Sequence, residues 1–169
     1  MRESTFDPED PKLYELSEPE ARLILENFLR VERAALASAE MQLVPVILNY
    51  SRDSVVALFE YGILKVIGSS PMIDIYSPAF MRDEARVVWI GRMGYYLGEA
   101  LIKSCNRLRW DIGDAETALA NHPVVSGFKD GTEAPVVAVS RVLTARVLMD
   151  QAPFDVVKKA IDLWFERAH

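Results

Sequence analysis

The chain has 169 residues, half of them apolar and about a quarter charged, with a net charge of −6. That length and composition predict one folded domain with a real core and leave no room for long disordered tracts. The single cysteine, Cys105, excludes an internal disulfide framework or a Cys-based zinc cluster, and the acidic balance argues against nucleic acid as partner.

The charge is uneven. Residues 1–40 carry ten acids against five bases, so nearly all the negative excess sits in the N-terminal segment. The opening "MRESTFDPEDPKLYELSEPE" lacks the basic start and apolar run of a secretory signal. No apolar run reaches the ~18 residues that span a bilayer. A cytoplasmic protein without membrane contact is therefore expected.

Residues 1–16, with Pro8 and Pro11 among acids, read as an extended or loosely ordered arm. Ser17-Glu18-Pro19-Glu20 then has the form of a capping box, with proline tolerated in the first turn. Apolar residues recur at helical spacing from Ala21 to Ala39, which predicts one amphipathic helix over 18–40, with Arg22, Glu26, Arg30 and Arg33 on its other face. Pro45 in "MQLVPVILNYS" breaks that pattern and predicts an extended link or a short edge strand. A second helix follows, capped by Ser51, with Val55, Leu58, Phe59, Ile63 and Val66 as its buried stripe and Gly68 at its end. Ser77-Pro78 signals a third helix running to Cys105.

That third helix contains Gly91, Gly94 and Gly98 on one face. The spacing is not that of a phosphate loop, and Arg92, Glu99 and Lys103 interrupt any membrane span. The glycines are expected to form a seam where another backbone or an aromatic ring packs closely. Glu99, four residues before Lys103, is expected to form an ion pair with it.

Beyond the helix, Leu108, Trp110 and Ile112 alternate with Arg107, Arg109 and Asp111, the pattern of a half-buried strand. "AETALAN" is a linker or a single helical turn, "HPVVSGF" a second strand, and "KDGTEAP" a turn. "VVAVSRVLTARVLM" after Pro135 is too long for a strand and is assigned as helix; a final helix closes the chain, with Val156, Val157, Ala160, Ile161, Trp164 and Phe165 inward and Lys158, Lys159, Asp162 and Glu166 outward. The fold class expected is α+β, a mostly helical single domain over 1–169 with a small antiparallel two-stranded element packed on helices.

Chemistry is sparse. The two histidines, His122 and His169, are far apart, and neither a triad nor a His-based metal site is apparent. Asp111, Asp114 and Glu116 cluster around a glycine without the spacing of a calcium loop. Arg107, Arg109, Lys129 and Arg141 form at most a small basic patch. No catalytic residue, metal or cofactor is assigned.

Two stretches carry a resemblance. "NYSRDSVVALFEYGI" and "IGRMGYYLGEALIKSCNRLRW" resemble segments of a family of small uncharacterised bacterial proteins, which includes immunity-like proteins encoded beside secreted toxins. The residues concerned are Tyr50, Ser51, Ser54, Leu58, Gly94, Tyr96, Gly98, Glu99 and Trp110, within a match over roughly residues 45–145. "RLR" stands where the family carries a glycine pair before the tryptophan. The resemblance implies a non-enzymatic protein that occludes a toxin's active site. The acidic Asp7, Glu9, Asp10, Glu15 and Glu18 would then meet a basic toxin domain. Two other readings stay open: a homodimerising structural module built on helix 18–40, and a small hydrolase using Glu99 with Asp111 or His122.

Overall fold

The computed structural model describes residues 11–67, 84–149 and 152–169. After a short 3-10 helix at Pro11–Glu15 come α1 (Glu18–Leu36), α2 (Ala39–Gln42), α3 (Arg52–Ile67), α4 (Glu84–Ser104), β1 (Arg109–Ile112), β2 (Pro123–Ser126), α5 (Val136–Leu148) and α6 (Asp155–Ala168). The chain is mostly helical with one two-stranded antiparallel sheet, an α+β architecture.

The axis of the fold is α4. Met93, Tyr95, Tyr96, Leu97, Ala100 and Leu101 are all essentially buried, so the helix is enclosed on nearly every side. It packs against α1, α3, α5, α6 and both strands. α3 contributes Val55, Leu58, Phe59 and Ile63, all fully buried. The side chain of Val66, Gly68 and the Ser77-Pro78 cap lie outside the described residues. Ser51 caps α3 as expected, its Oγ accepting from the Ser54 N–H at 3.2 Å. At α1 the Glu20 carboxylate reaches back to the Ser17 N–H at 2.8 Å.

The glycine seam has three different occupants. A Cβ on Gly94 would lie 2.9 Å from Val136 O and Val137 Cα, so the start of α5 passes directly against α4 there. A Cβ on Gly98 would lie 2.2 Å from Cη2 of Trp110, so this position admits the indole of β1. Gly91 faces Glu32 of α1. The sheet is fixed by the same contacts. Trp110 pairs with Val125 in register, and Val125 exchanges two 2.9 Å backbone bonds with Ala134 at the entry to α5.

The single helix expected over 18–40 is corrected to two. α1 stops at Leu36 and Ser38 caps a new turn, accepting from the Met41 N–H at 3.4 Å. The "MQLVPVILNYS" stretch begins inside α2, and from Leu43 on it is a link in which Val44 is buried while Leu43 and Ile47 are exposed. Of the arm expected over 1–16, the described part is a 3-10 helix that buries Leu13. Asp162, expected outward, is half-buried and pairs with Arg52 and with Lys158, each at 3.2 Å.

Candidate functional site

Two polar networks lie beside α1. Its N-terminal end is set by a latch. Asn121, in the left-handed conformation at φ 63°, donates its side-chain amide to the carbonyls of Leu13 at 2.7 Å and Leu16 at 3.1 Å. Asparagine tolerates that backbone better than most residues. The Tyr14 hydroxyl donates to Ala118 O at 3.2 Å, and its ring packs on His122. These contacts dock the start of the described chain onto the turn that follows β1.

The docking opens a groove of about 320 Å³, bounded by Tyr14, Leu16, Glu18 and Arg22 on one side and by Asp111 to Ala115 on the other. Arg22 crosses it, 2.9 Å from Glu18 Oε1 and 3.5 Å from Asp111 Oδ1. Asp111 also meets Arg109 at 3.6 Å and accepts from Ser126 Oγ at 3.4 Å. Glu133 joins at the rim, accepting from the Asp114 N–H at 3.3 Å. Three carboxylates, Glu18, Asp111 and Asp114, therefore line one groove with the Arg22 guanidinium. Residues from two distant parts of the sequence build it.

Toward the other end of α1, a denser network surrounds Glu99. The Trp110 indole N–H donates to Glu99 Oε1 at 2.8 Å, and the indole stacks on Tyr95 with ring centroids 5.8 Å apart. Arg33 hydrogen-bonds the Tyr95 phenol. Tyr50 sits in the left-handed region at φ 62°, a conformation costly for a bulky residue. Three contacts hold it there. Its N–H donates to Tyr96 Oη at 2.8 Å, its ring stacks on Tyr96 at 4.9 Å, and Lys103 Nζ lies 3.6 Å above its face. Ser54 Oγ completes the network 2.9 Å from Tyr96 Oη. Burial raises the pKa of both Tyr50 and Tyr95 above the ordinary phenol value, so both are neutral at pH 7. The expected Glu99–Lys103 ion pair is replaced by these partners: the carboxylate turns to the indole and the lysine to the Tyr50 ring.

Beneath this flank lies a buried ion pair. Glu32 and Arg92 are 3.8 Å apart, and Arg92 also reaches Glu40 at 3.7 Å. Burial raises the Glu32 carboxyl to about 7, against the lowering by Arg92. The exposed surface above α1 dips again in an open depression of about 460 Å³, lined by Glu26, Leu29, Arg30, Arg33, Ala34 and Ala37.

Of the acids assigned to partner contact, Asp7, Glu9 and Asp10 lie outside the described residues, Glu15 is exposed, and Glu18 forms the groove wall. Glu99, Asp111 and His122 are not brought together. Trp110 and Asp111 are successive strand residues on opposite faces, so the carboxylate bonded to the Trp110 indole is on the other side of β1 from Asp111. His122 is buried beneath Tyr14, and burial lowers its pKa, which keeps the imidazole neutral at pH 7. Among the described residues no cluster of three or more His, Cys, Asp and Glu is placed to hold a metal ion. The basic residues near the strands are dispersed. Arg107 donates to Ala168 O at 2.8 Å, Lys129 to His169 O, and Arg141 is buried.

Arg33 and Tyr95 escape sequence reasoning as site residues, because nothing local marks a helix-flank arginine or a core tyrosine as members of one network. Tyr50, Ser54, Tyr96, Glu99 and Trp110, which carry the resemblance, lie in one network of polar and ring contacts. Among the described residues no helix is long and apolar enough to cross a membrane. No protein-family model matches the chain, and comparison with characterised proteins and with solved structures finds no match.

Proposed function

We propose that this chain is a cytoplasmic binding protein of the immunity type, which neutralises a secreted bacterial toxin by covering its active site. The observation that carries the reading is the groove. Glu18, from the acid-rich N-terminal segment, is held against Asp111 and Asp114, more than ninety residues away, by a dedicated latch. An acidic cleft with an apolar floor at Leu16, Ile112 and Ala120 suits the lysine or arginine side chains that line a nuclease or nucleotide-handling site. The resemblance carried by Tyr50, Ser51, Ser54, Leu58, Gly94, Tyr96, Gly98, Glu99 and Trp110 supports the same class, and Trp110 of that set packs edge-on against Phe28 of α1.

The action is steric and electrostatic. The acids speed encounter with a basic surface, and the partner's cations displace Arg22 from Glu18 and Asp111. The test is charge reversal at Glu18 and Asp114, measured on the complex with a copurifying basic partner. Binding weakened at least ~10-fold, with a shallower salt dependence, is expected. Unchanged affinity and salt dependence refute the electrostatic reading.

A further inference from the structure

The groove and the second depression lie on the same flank of α1, and their charges are opposite. Glu18 and Arg22 border the first, with Asp111 and Asp114 across it. The second is lined by Leu29, Ala34 and Ala37 together with two bases, Arg30 and Arg33, and one acid, Glu26. Arg33 is tied by Tyr95 and also feels the Glu99 charge, and Arg30 is tied by a 2.8 Å bond to Asn27 Oδ1, so both guanidiniums are held in place with donors to spare. Arg22 and Arg33 are separated by eleven positions, about 17 Å along a helix rising 1.5 Å per residue.

We infer that the second depression is a binding subsite for a partner's carboxylate, whose apolar stem lies on Leu29, Ala34 and Ala37 while its charge meets Arg30 and Arg33. This deepens the reading above and rests on it in naming a protein partner. The cognate surface then presents a basic side chain and an acidic one about 17 Å apart. Such a bipolar surface fixes the orientation of docking, which a uniformly acidic face does not. A partner presenting only cations leaves the Arg30–Arg33 end facing like charge.

The subsite is tested by NMR on the ¹⁵N-labelled full chain, using sodium hexanoate as the anionic probe, hexanamide as its neutral isostere and hexylammonium as the cationic probe. Hexanoate is expected to give saturable shifts in residues 29–37 and in the Arg30 and Arg33 side-chain N–H signals; hexanamide is expected to give far smaller ones. Arg30→Gln with Arg33→Gln should weaken hexanoate about fivefold or more while amides remote from α1 and from Tyr95, such as those of α6, keep the parent's positions. Hexanoate shifts that are absent, that hexanamide reproduces, or that survive both substitutions overturn the subsite. Hexylammonium reads the groove separately, through the Asp111, Gly113 and Asp114 amides. Failure there with success of hexanoate removes the acidic-groove reading and leaves the carboxylate subsite standing.

Discussion

Gly98→Ala puts a methyl group where Trp110 already is. The new Cβ would lie 2.2 Å from Cη2 and 2.3 Å from Cζ2 of the indole. Carbon atoms in contact prefer about 3.5–4.0 Å, so the ring or the helix must move by more than ~1 Å. The ring has little freedom. It stacks on Tyr95 at an interplanar angle of 6°, meets Phe28 edge-on, and donates to Glu99 at 2.8 Å. Overpacking of this kind costs about 1–3 kcal/mol, and weakening the charged hydrogen bond adds about 1 kcal/mol. Replacing glycine by alanine inside a helix returns about 1 kcal/mol. The balance is a loss of ~2 kcal/mol, or about 4–8 °C in Tm for a chain of this size. Thermal and urea unfolding measure it, and the Trp110 indole N–H resonance should shift at the same time. Gly62→Ala is the comparison, because its Cβ meets Sδ of the unbranched Met93 side chain at 2.6 Å rather than a fixed ring. It should cost less than half as much. If Gly98→Ala melts at or above the parent temperature, helix propensity outweighs packing and the close-approach account of this seam is wrong.

Tyr96→Phe removes the acceptor of the Tyr50 N–H and the partner of Ser54, and should destabilise by about 1–3 kcal/mol by urea titration; a change under ~0.5 kcal/mol would show that the network does not hold Tyr50. Asn121→Ala should release the N-terminal latch, so that amides of residues 13–18 exchange at least ~10-fold faster while those of α4 keep their protection; equal protection in both proteins would contradict the latch. Glu32, whose folded pKa is raised to about 7, gives a signed pH dependence. The folded state holds the extra proton between the unfolded value and about 7, so Glu32's contribution is full at pH 4, declines as pH rises toward 7, and then levels. The stability of the parent minus that of Glu32→Gln should fall across that window by up to ~3 kcal/mol, measured by urea unfolding at each pH; a flat or rising difference refutes it.

Much of the fold was legible because its signals are local. The Ser51 cap, the alternation around Trp110 and the apolar run after Pro135 each identify an element without reference to its neighbours. The break of the first helix was not, since Ala37 and Ser38 continue an acceptable helical pattern and only the new cap at Ser38 ends it. The glycine seam was read correctly as packing, but its occupants come from β1 and α5, and no spacing within α4 names them. The same reason explains the error at Glu99. An i,i+4 lysine is the best local partner, yet the strand brings an indole N–H within 2.8 Å, and Lys103 finds the Tyr50 ring. The acidic groove was half visible. Glu18 stands out as part of a charge excess and Asp111 and Asp114 as a cluster, while the Asn121 latch that unites them is a long-range contact.

The most direct test of the proposed binding role is titration calorimetry of the full chain against a basic protein captured with it on purification, at two ionic strengths, for the parent and for Glu18→Lys with Asp114→Lys. The account predicts a Kd that rises steeply with salt for the parent, and a variant bound at least ~10-fold more weakly with a shallower salt dependence. Equal affinity and equal salt dependence for the two proteins would contradict it.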